Sequence, residues 1–421
     1  MQKKVNLGTL IASIIIAIIV TFTVTFTIVQ VANQLIDYAD EKENASSVID
    51  MWQSYLPEDK QNLELFEALA IVDYFYQSDY VSDIDKQELI YYLMNSYIAC
   101  VGDPYGAYYT PEQVESVFGE LDGKNVGIGV YVKSYKAGDP GIKVLEVMKD
   151  SPAEKAGVKK GDIITHVNGE AVSTLGYDGA VSKIAGAIGS VVTIKVIRDG
   201  NTVPITITRA EFIAQSVFSR KYELDNTVGV IRILEFNSET PRQFKEAVNT
   251  LLDGGCKSLV FDVRSNPGGT LDSCLEILDF LLPEGEIVKI TELDGTVVDT
   301  YYSSEGEIDV PMAVLTDGAT ASAGELFTCA LRDYEKAIVV GTKTYGKGCM
   351  QNIFSLPNGG ALRITTQLYD PPKSENYDGV GIIPDVVVEL DGSLKEMNYF
   401  EITDAMDNQL SAAYEALVPK Q

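Results

Sequence analysis

Residues 337–370 read AIVVGTKTYGKGCMQNIFSLPNGGALRITTQLYD, and the fold turns on whether their first strand leads into a helix or into a second strand. The octet GTKTYGKG at 341–348 meets all but the last position of the phosphate-loop pattern G-x-x-x-x-G-K-[ST]. Such a loop comes after a strand and runs straight into a helix, whose N-terminus receives the phosphates. AIVVG supplies the strand, but Phe354, Leu356, Leu362 and Ile364 then alternate as β structure does. Gly348 also stands where a magnesium-binding hydroxyl is required. The nucleotide reading is therefore rejected. Lys347 is left in a glycine-flanked loop between strands, where it can turn inward or remain an exposed loop charge.

Outward from this loop, residues 211–390 alternate strand and helix. KSLVFDV is a buried strand, RSNPGG a turn and TLDSCLEILDFLL a helix; MAVLTD, SAGELFTCALRDY and AIVVG repeat the order. Strand–turn–helix units of this kind build an α/β layer that binds ligands near the carboxyl ends of its strands. The tail at 391–421 is acidic and ends in a helix. Residues 119–210 are β-rich with glycine punctuation: VGIGVYV, IKVLEV, DIITHVNG and VVTIKVIRDG read as strands, SPAEKAG and YDGAVSKIAG as two short helices. Residues 33–118 read as helical, with DKQELIYYLMNSYIACVGD broken at Asp103-Pro104.

Residues 7–32 carry no charge, long enough to cross a hydrocarbon core of ~30 Å. Lys3 and Lys4 precede them and Asp37, Asp40, Glu41 and Glu43 come after, which predicts a cytoplasmic stub at 1–6, a single-pass membrane anchor and an extracytoplasmic bulk. The rival is a cleaved signal peptide, against which stand the length of the run and the lack of an A-x-A site. The chain's 421 residues include 33 basic and 61 acidic ones, a net charge of −28, which disfavours a nucleic-acid partner. Five scattered cysteines argue for buried thiols rather than a disulfide framework, and one histidine leaves no Cys/His metal site. No cofactor is expected.

That histidine, His166, lies in the β-rich region, so a Ser-His or Cys-His protease has no base in the α/β part. Lysine is the alternative, because burial can bring its pKa towards neutrality. Ser322, in TASAGE, sits between a strand and a helix. Alone it reads as a helix N-cap; Ala321, Ala323 and Gly324 leave room beside it for a substrate backbone, which a cap does not need. DVRSNPGG at 262–269 is either a glycine turn or half of an oxyanion hole whose other half is the Ala323 N–H. One such donor is worth ~2.7–4 kcal/mol of activation free energy.

With these residues assembled, the chain resembles the C-terminal processing peptidases, tail-specific serine proteases with a Ser-Lys dyad and a PDZ domain. The likeness rests on VGDPYGAYYTPEQ, DVRSNPGG, ATASAGE, GTKTYGKGCMQ and GVGIIPDVVVEL, in that order. It implies a crotonase-like α/β protease core, Ser322 as nucleophile, Lys347 as base, Gln351 orienting the lysine, and Gly268 with Ala323 as the oxyanion hole. It also implies homodimerisation through N-terminal helices. SPAEKAGVKKGDIITHVNG resembles the family's PDZ, in which Val126, Gly127, Ile128 and Gly129 would receive a peptide's terminal carboxylate while Val181 and Ile184 line the pocket for its last side chain. The implied substrates are proteins or peptides with free C-termini. Two stretches depart from the family. Ala185 stands where relatives carry an arginine after the PDZ helix, and YDPPKSENYDGVG replaces the usual Ser/Gly-Arg stretch. The alternative is a catalytically silent PDZ adaptor, against which the intact Ser322, Lys347 and Gln351 argue. Glu325 excludes the S-x-x-K acyltransferases.

Overall fold

A computed structural model describes residues 80–417 except 134, 136 and 137, together with 69, 72, 73, 75 and 76. The anticipated span at 7–32 lies outside these, and no helix among the described residues is long and apolar enough to cross a membrane. The chain divides into two units, residues 1–94 with 356–359 and residues 95–355 with 360–421. In the first, Asp85 starts the helical residues from Lys86 onward by accepting the N–H groups of Gln87 and Glu88 at 2.9 and 3.1 Å. The second holds the α/β layer and the β-rich region.

The centre of this second unit is a six-stranded sheet in the order Val217–Tyr222, Asp225–Ile233, Ser258–Asp262, Met312–Thr316, Ala337–Gly341, Val386–Val387. The first pair is antiparallel and the rest are parallel. Parallel neighbours require crossovers, supplied by the helices Thr240–Asp253, Leu271–Leu281 and Ala323–Asp333. Every residue of Met312–Thr316 is buried, as expected of a parallel strand covered on both faces. One face packs on Phe236, Phe244, Phe261 and Phe327, whose ring centroids lie 5.4–6.4 Å apart in successive contacts. The other is covered by the C-terminal helix Asn408–Leu417, through Leu410 and Ala413.

Another sheet, antiparallel, holds Gly285–Thr291, Val297–Ser303, Ala361–Asp370 and Cys349–Ser355, edged by Ala107–Tyr109. The segment after GTKTYGKG is thus strand, not helix. The small β domain folds around Ile142, Ile164, Ile194 and Val196, all fully buried. Its strands Val130–Val132, Ile142–Val147, Ile163–Val167, Val191–Arg198 and Asn201–Thr208 form one sheet, with helices Pro152–Lys155 and Val172–Ile184. The chain enters and leaves this domain side by side, since Lys124–Gly127 pairs with Ala210–Ile213. Four of the five cysteines are buried and free; Cys100 is exposed.

Candidate active site

Three loops meet at the carboxyl ends of the central strands. The first comes after Met312–Thr316. Asp317 accepts the N–H groups of Ala319 and Thr320, each at 3.0 Å, and bends the chain back. Thr320 Oγ1 donates to the Val263 carbonyl at 2.8 Å, and the Ala321 N–H to the Asn266 carbonyl at 2.9 Å. Ser322 is thereby held at φ 53°, ψ −120°, a backbone conformation that costs a non-glycine residue about 1–3 kcal/mol and persists only where neighbours over-determine it. It does cap the helix Ala323–Asp333, as its sequence context allows. The strain is what a cap alone does not call for. The Ala323 N–H has no hydrogen-bond partner among the described residues.

The second loop is the turn at 263–269, where Gly268 has φ 105°. A methyl group on Gly268 would stand 2.7 Å from Ser322 Cβ and 3.1 Å from the Ala323 nitrogen, so only glycine leaves space for a carbonyl oxygen there. Gly268 and Ala323 are therefore neighbours. Their N–H groups differ: that of Gly268 already donates to Asn266 Oδ1 at 2.8 Å, leaving Ala323 as the open donor.

The third loop carries Lys347. Tyr345 N–H donates to the Thr320 carbonyl at 3.0 Å, and the Gly346 and Lys347 N–H groups donate to the Glu325 carboxylate, both at 2.7 Å. The same carboxylate accepts the Ser322 N–H at 3.0 Å and the Thr344 hydroxyl. Glu325 is fully buried. Burial pushes its pKa up, against four hydrogen bonds that favour the ionised form. One carboxylate thus joins the Ser322 turn to the Lys347 loop. Gly348 answers the missing hydroxyl: a side chain there would meet Asn376 Oδ1 at 2.5 Å and the Asp378 nitrogen at 2.7 Å.

The Lys347 ammonium lies 4.6 Å from the centre of the Tyr105 ring. Burial lowers its pKa from the ordinary lysine value, and Arg363 adds to the effect while Cys349, Asp103 and Asp378 oppose it. No hydrogen bond joins Lys347 Nζ to Ser322 or to Gln351 among the described residues. The Gln351 amide instead donates to Thr365 Oγ1 at 3.3 Å and lies against Cys349. Thr365 in turn donates to Asp103 Oδ1 at 2.8 Å, which anchors the loop bearing Tyr105. The buried Tyr369 hydroxyl faces the Ser322 side chain.

In the small β domain, the Ile128 and Gly129 N–H groups have no hydrogen-bond partner among the described residues, as a carboxylate receptor requires. Ile128 and Ile184 share the domain's apolar core, Val126 is exposed, and Val181 is half-buried outside that core. Where Ala185 supplies no arginine, Arg209 reaches the same helix end, donating to the carbonyls of Lys183 and Ile184, both at 2.7 Å.

Sequence reasoning named Ser322, Lys347 and Gly268 but passed over Glu325 and Tyr105. Glu325 had a signal, because Ser322-Ala-Gly-Glu325 spells the capping-box pattern S-x-x-E. Tyr105 lay in a motif that was noted without a role. Nothing in the sequence pointed to Tyr369.

Known proteins resemble this chain along most of its length. The description Peptidase family S41 fits residues 227–388, and that of a PDZ domain fits residues 143–198. A carboxy-terminal-processing protease of Bartonella bacilliformis is 32% identical over 354 residues, covering 82% of this chain and 80% of that one. A CtpA-like serine protease of Staphylococcus saprophyticus is also 32% identical, over 81% of this chain and 68% of the relative. A solved S41 protease from Bacteroides fragilis, 18% identical, covers 82% of this chain and 95% of its own with a TM-score of 0.56, which speaks for the fold alone. With such identity over four-fifths of both chains, this chain belongs to the S41 peptidases, the family of the carboxy-terminal-processing serine proteases.

Proposed function

We propose that Ser322 is the nucleophile and Lys347 the general base of a protease that draws substrates in by their C-terminal tails. The observation that carries this reading is the Glu325 carboxylate, which binds the backbone of both residues at once. A merely structural N-cap has no reason to be tied to a distant lysine loop. In the reaction, neutral Lys347 takes the Ser322 proton as Oγ attacks the scissile carbonyl. The developing oxyanion is stabilised by the Ala323 N–H, and by Gly268 once its N–H is shared or freed from Asn266. Lys347 then gives its proton to the leaving amine, and later activates the water that releases the acyl group. This sequence requires Nζ to come within hydrogen-bond reach of Ser322 Oγ, away from its resting place on Tyr105.

The open N–H groups of Ile128 and Gly129 support docking of a terminal carboxylate, with the tail added along Val130–Val132 as an extra strand. The charge-free run at 7–32 supports a membrane anchor that leaves the protease on the extracytoplasmic side. The test is cleavage of one synthetic unfolded peptide of about 30 residues, long enough to span both sites as an extended chain. It would be offered with a free C-terminus and with a C-terminal amide. The amide is expected to raise KM about tenfold or more, the worth of a charge-assisted hydrogen bond. Equal KM for the two would remove the tail-docking part while leaving the dyad in place.

A further inference from the structure

The segment at 391–407, which the sequence offers only as an acidic tail, contains a short helical turn at Tyr399–Glu401, capped by Asn398. Its three side chains point to different places. The Tyr399 ring carries two guanidinium groups, Arg232 at 4.5 Å and Arg264 at 4.4 Å from its centre, and its hydroxyl donates to Asp317 Oδ2 at 3.1 Å. Phe400 stacks on Tyr131 of the small β domain at 5.7 Å and meets Phe218 edge-on at 5.0 Å. Glu401 pairs with Lys133 and Lys143 of the same domain at 2.9 and 3.0 Å.

Both ends of this contact lead to function. Tyr131 lies on Val130–Val132, the strand next after the open amides of Ile128 and Gly129. Asp317 binds the Ser265 N–H at 2.9 Å and the Thr320 N–H at 3.0 Å, so it fixes both the turn that carries Gly268 and the approach to Ser322. Arg264, buried in the same turn, is held by Asp262 and by Asp407 and Gln409 further along the C-terminal segment.

We infer that the turn Tyr399–Glu401 is a positioning element: Tyr399 sets the Ser265–Gly268 turn, and Phe400 and Glu401 tie that setting to the place of the peptide-binding domain. The inference rests on the reading of Ser322 and Gly268 as catalytic machinery. It differs from a packing contact in one respect. The same three residues touch the two regions that must agree for a docked tail to be cut, so disturbing either end should change the reaction more than the stability.

The experiment uses the full chain in detergent with unfolded β-casein as substrate, in four forms: parent, Tyr399→Leu, Phe400→Leu with Glu401→Gln, and all three changes together. Tyr399→Phe serves as the conservative rescue. Tyr399→Leu is expected to lower kcat about tenfold or more with KM within about twofold, the pattern of a misplaced catalytic turn. Tyr399→Phe should recover most of that loss, since the ring remains on Arg264 of the same turn, and the unrecovered part is the share of the hydroxyl bond to Asp317. The Phe400→Leu, Glu401→Gln protein should also lose kcat, and the triple variant should be no worse than Tyr399→Leu, because both sets act through one turn. Hydrogen exchange of the 263–270 amides, measured in a Ser322→Ala background, gives a second reading that needs no catalysis: it should quicken in the Phe400→Leu, Glu401→Gln form. Multiplying effects, a change confined to KM, or unaltered exchange at 263–270 would overturn the inference. If Tyr399→Leu fails to fold, the exchange measurement on the Phe400→Leu, Glu401→Gln form still decides it. A parent that does not cut casein while the exchange responds would count against the catalytic reading, not against the coupling.

Discussion

Ser322 and Lys347 are held by the same carboxylate through their backbone N–H groups, yet their side chains are treated in opposite ways. Around Ser322 every element is fixed: a strained φ of 53°, a buried hydroxyl and loops tied on both sides. The Lys347 backbone is fixed as firmly, but its ammonium rests on an aromatic face without a hydrogen bond to its partner. On the proposed reading, the nucleophile is built in place and the base is stored beside it. A lysine without a strong acceptor in a half-buried setting loses its proton more readily than one locked in an ion pair, which is the condition a general base needs.

The sharpest way to break this comparison is to remove the shared anchor. Glu325→Gln places an amide hydrogen against one of three backbone N–H donors. It is expected to lower kcat about 100-fold, as misplacement by an ångström can. Thermal or urea unfolding should show a loss of about 1–3 kcal/mol from the unsatisfied buried groups. A loss of stability without a loss of kcat would leave Glu325 as a strut only.

A smaller change is expected at the lysine head. Because the base must be neutral, kcat/KM should rise with pH, with a midpoint below the ordinary lysine value of 10.5. Tyr105→Ala lets water reach the ammonium, so the midpoint should move up and activity near neutral pH should fall. A pH profile unchanged by Tyr105→Ala would mean that the ring does not set the lysine's environment. Gln351→Ala should matter least of the three. In the resting structure its amide serves Thr365 and Cys349, so a fall in kcat of about tenfold or less is expected, smaller than that from Glu325→Gln. A larger fall would mean that Gln351 takes hold of Lys347 only when substrate is bound.

Much of this architecture was legible because its signals are local. Alternation after Gly348 marked a strand where a phosphate loop needs a helix, and the apolar runs KSLVFDV and MAVLTD marked buried parallel strands. Ser322 drew notice by its small neighbours, whereas Lys347 took its role only from the resemblance that joins the motifs. What stayed hidden depends on long-range folding. Tyr105 and Lys347 are brought together only when Ala107–Tyr109 pairs with Ala361–Asp370, and no periodicity announces that pairing. The use of the Gly268 N–H by Asn266, two residues away, is a detail of turn geometry that the letters NPGG leave open. Arg209, between the strands Asn201–Thr208 and Ala210–Ile213, reaches the helix end beside Ala185, a contact in space that a linear reading shows only as a gap. The segment after Leu390 looked like a tail because its acidic residues dominate, while three consecutive side chains at 399–401 do the joining.

The central claim is that Ser322 attacks with Lys347 as its base. It is tested most directly by incubating an unfolded protein with the full chain and with its Ser322→Ala and Lys347→Ala forms, and reading the products by mass spectrometry. The account predicts discrete cleavage by the parent and a loss of at least about 10⁴-fold for both variants, each still folded by circular dichroism. Cleavage that survives Lys347→Ala while Ser322→Ala is silent would contradict it, because the base would then have to be another group.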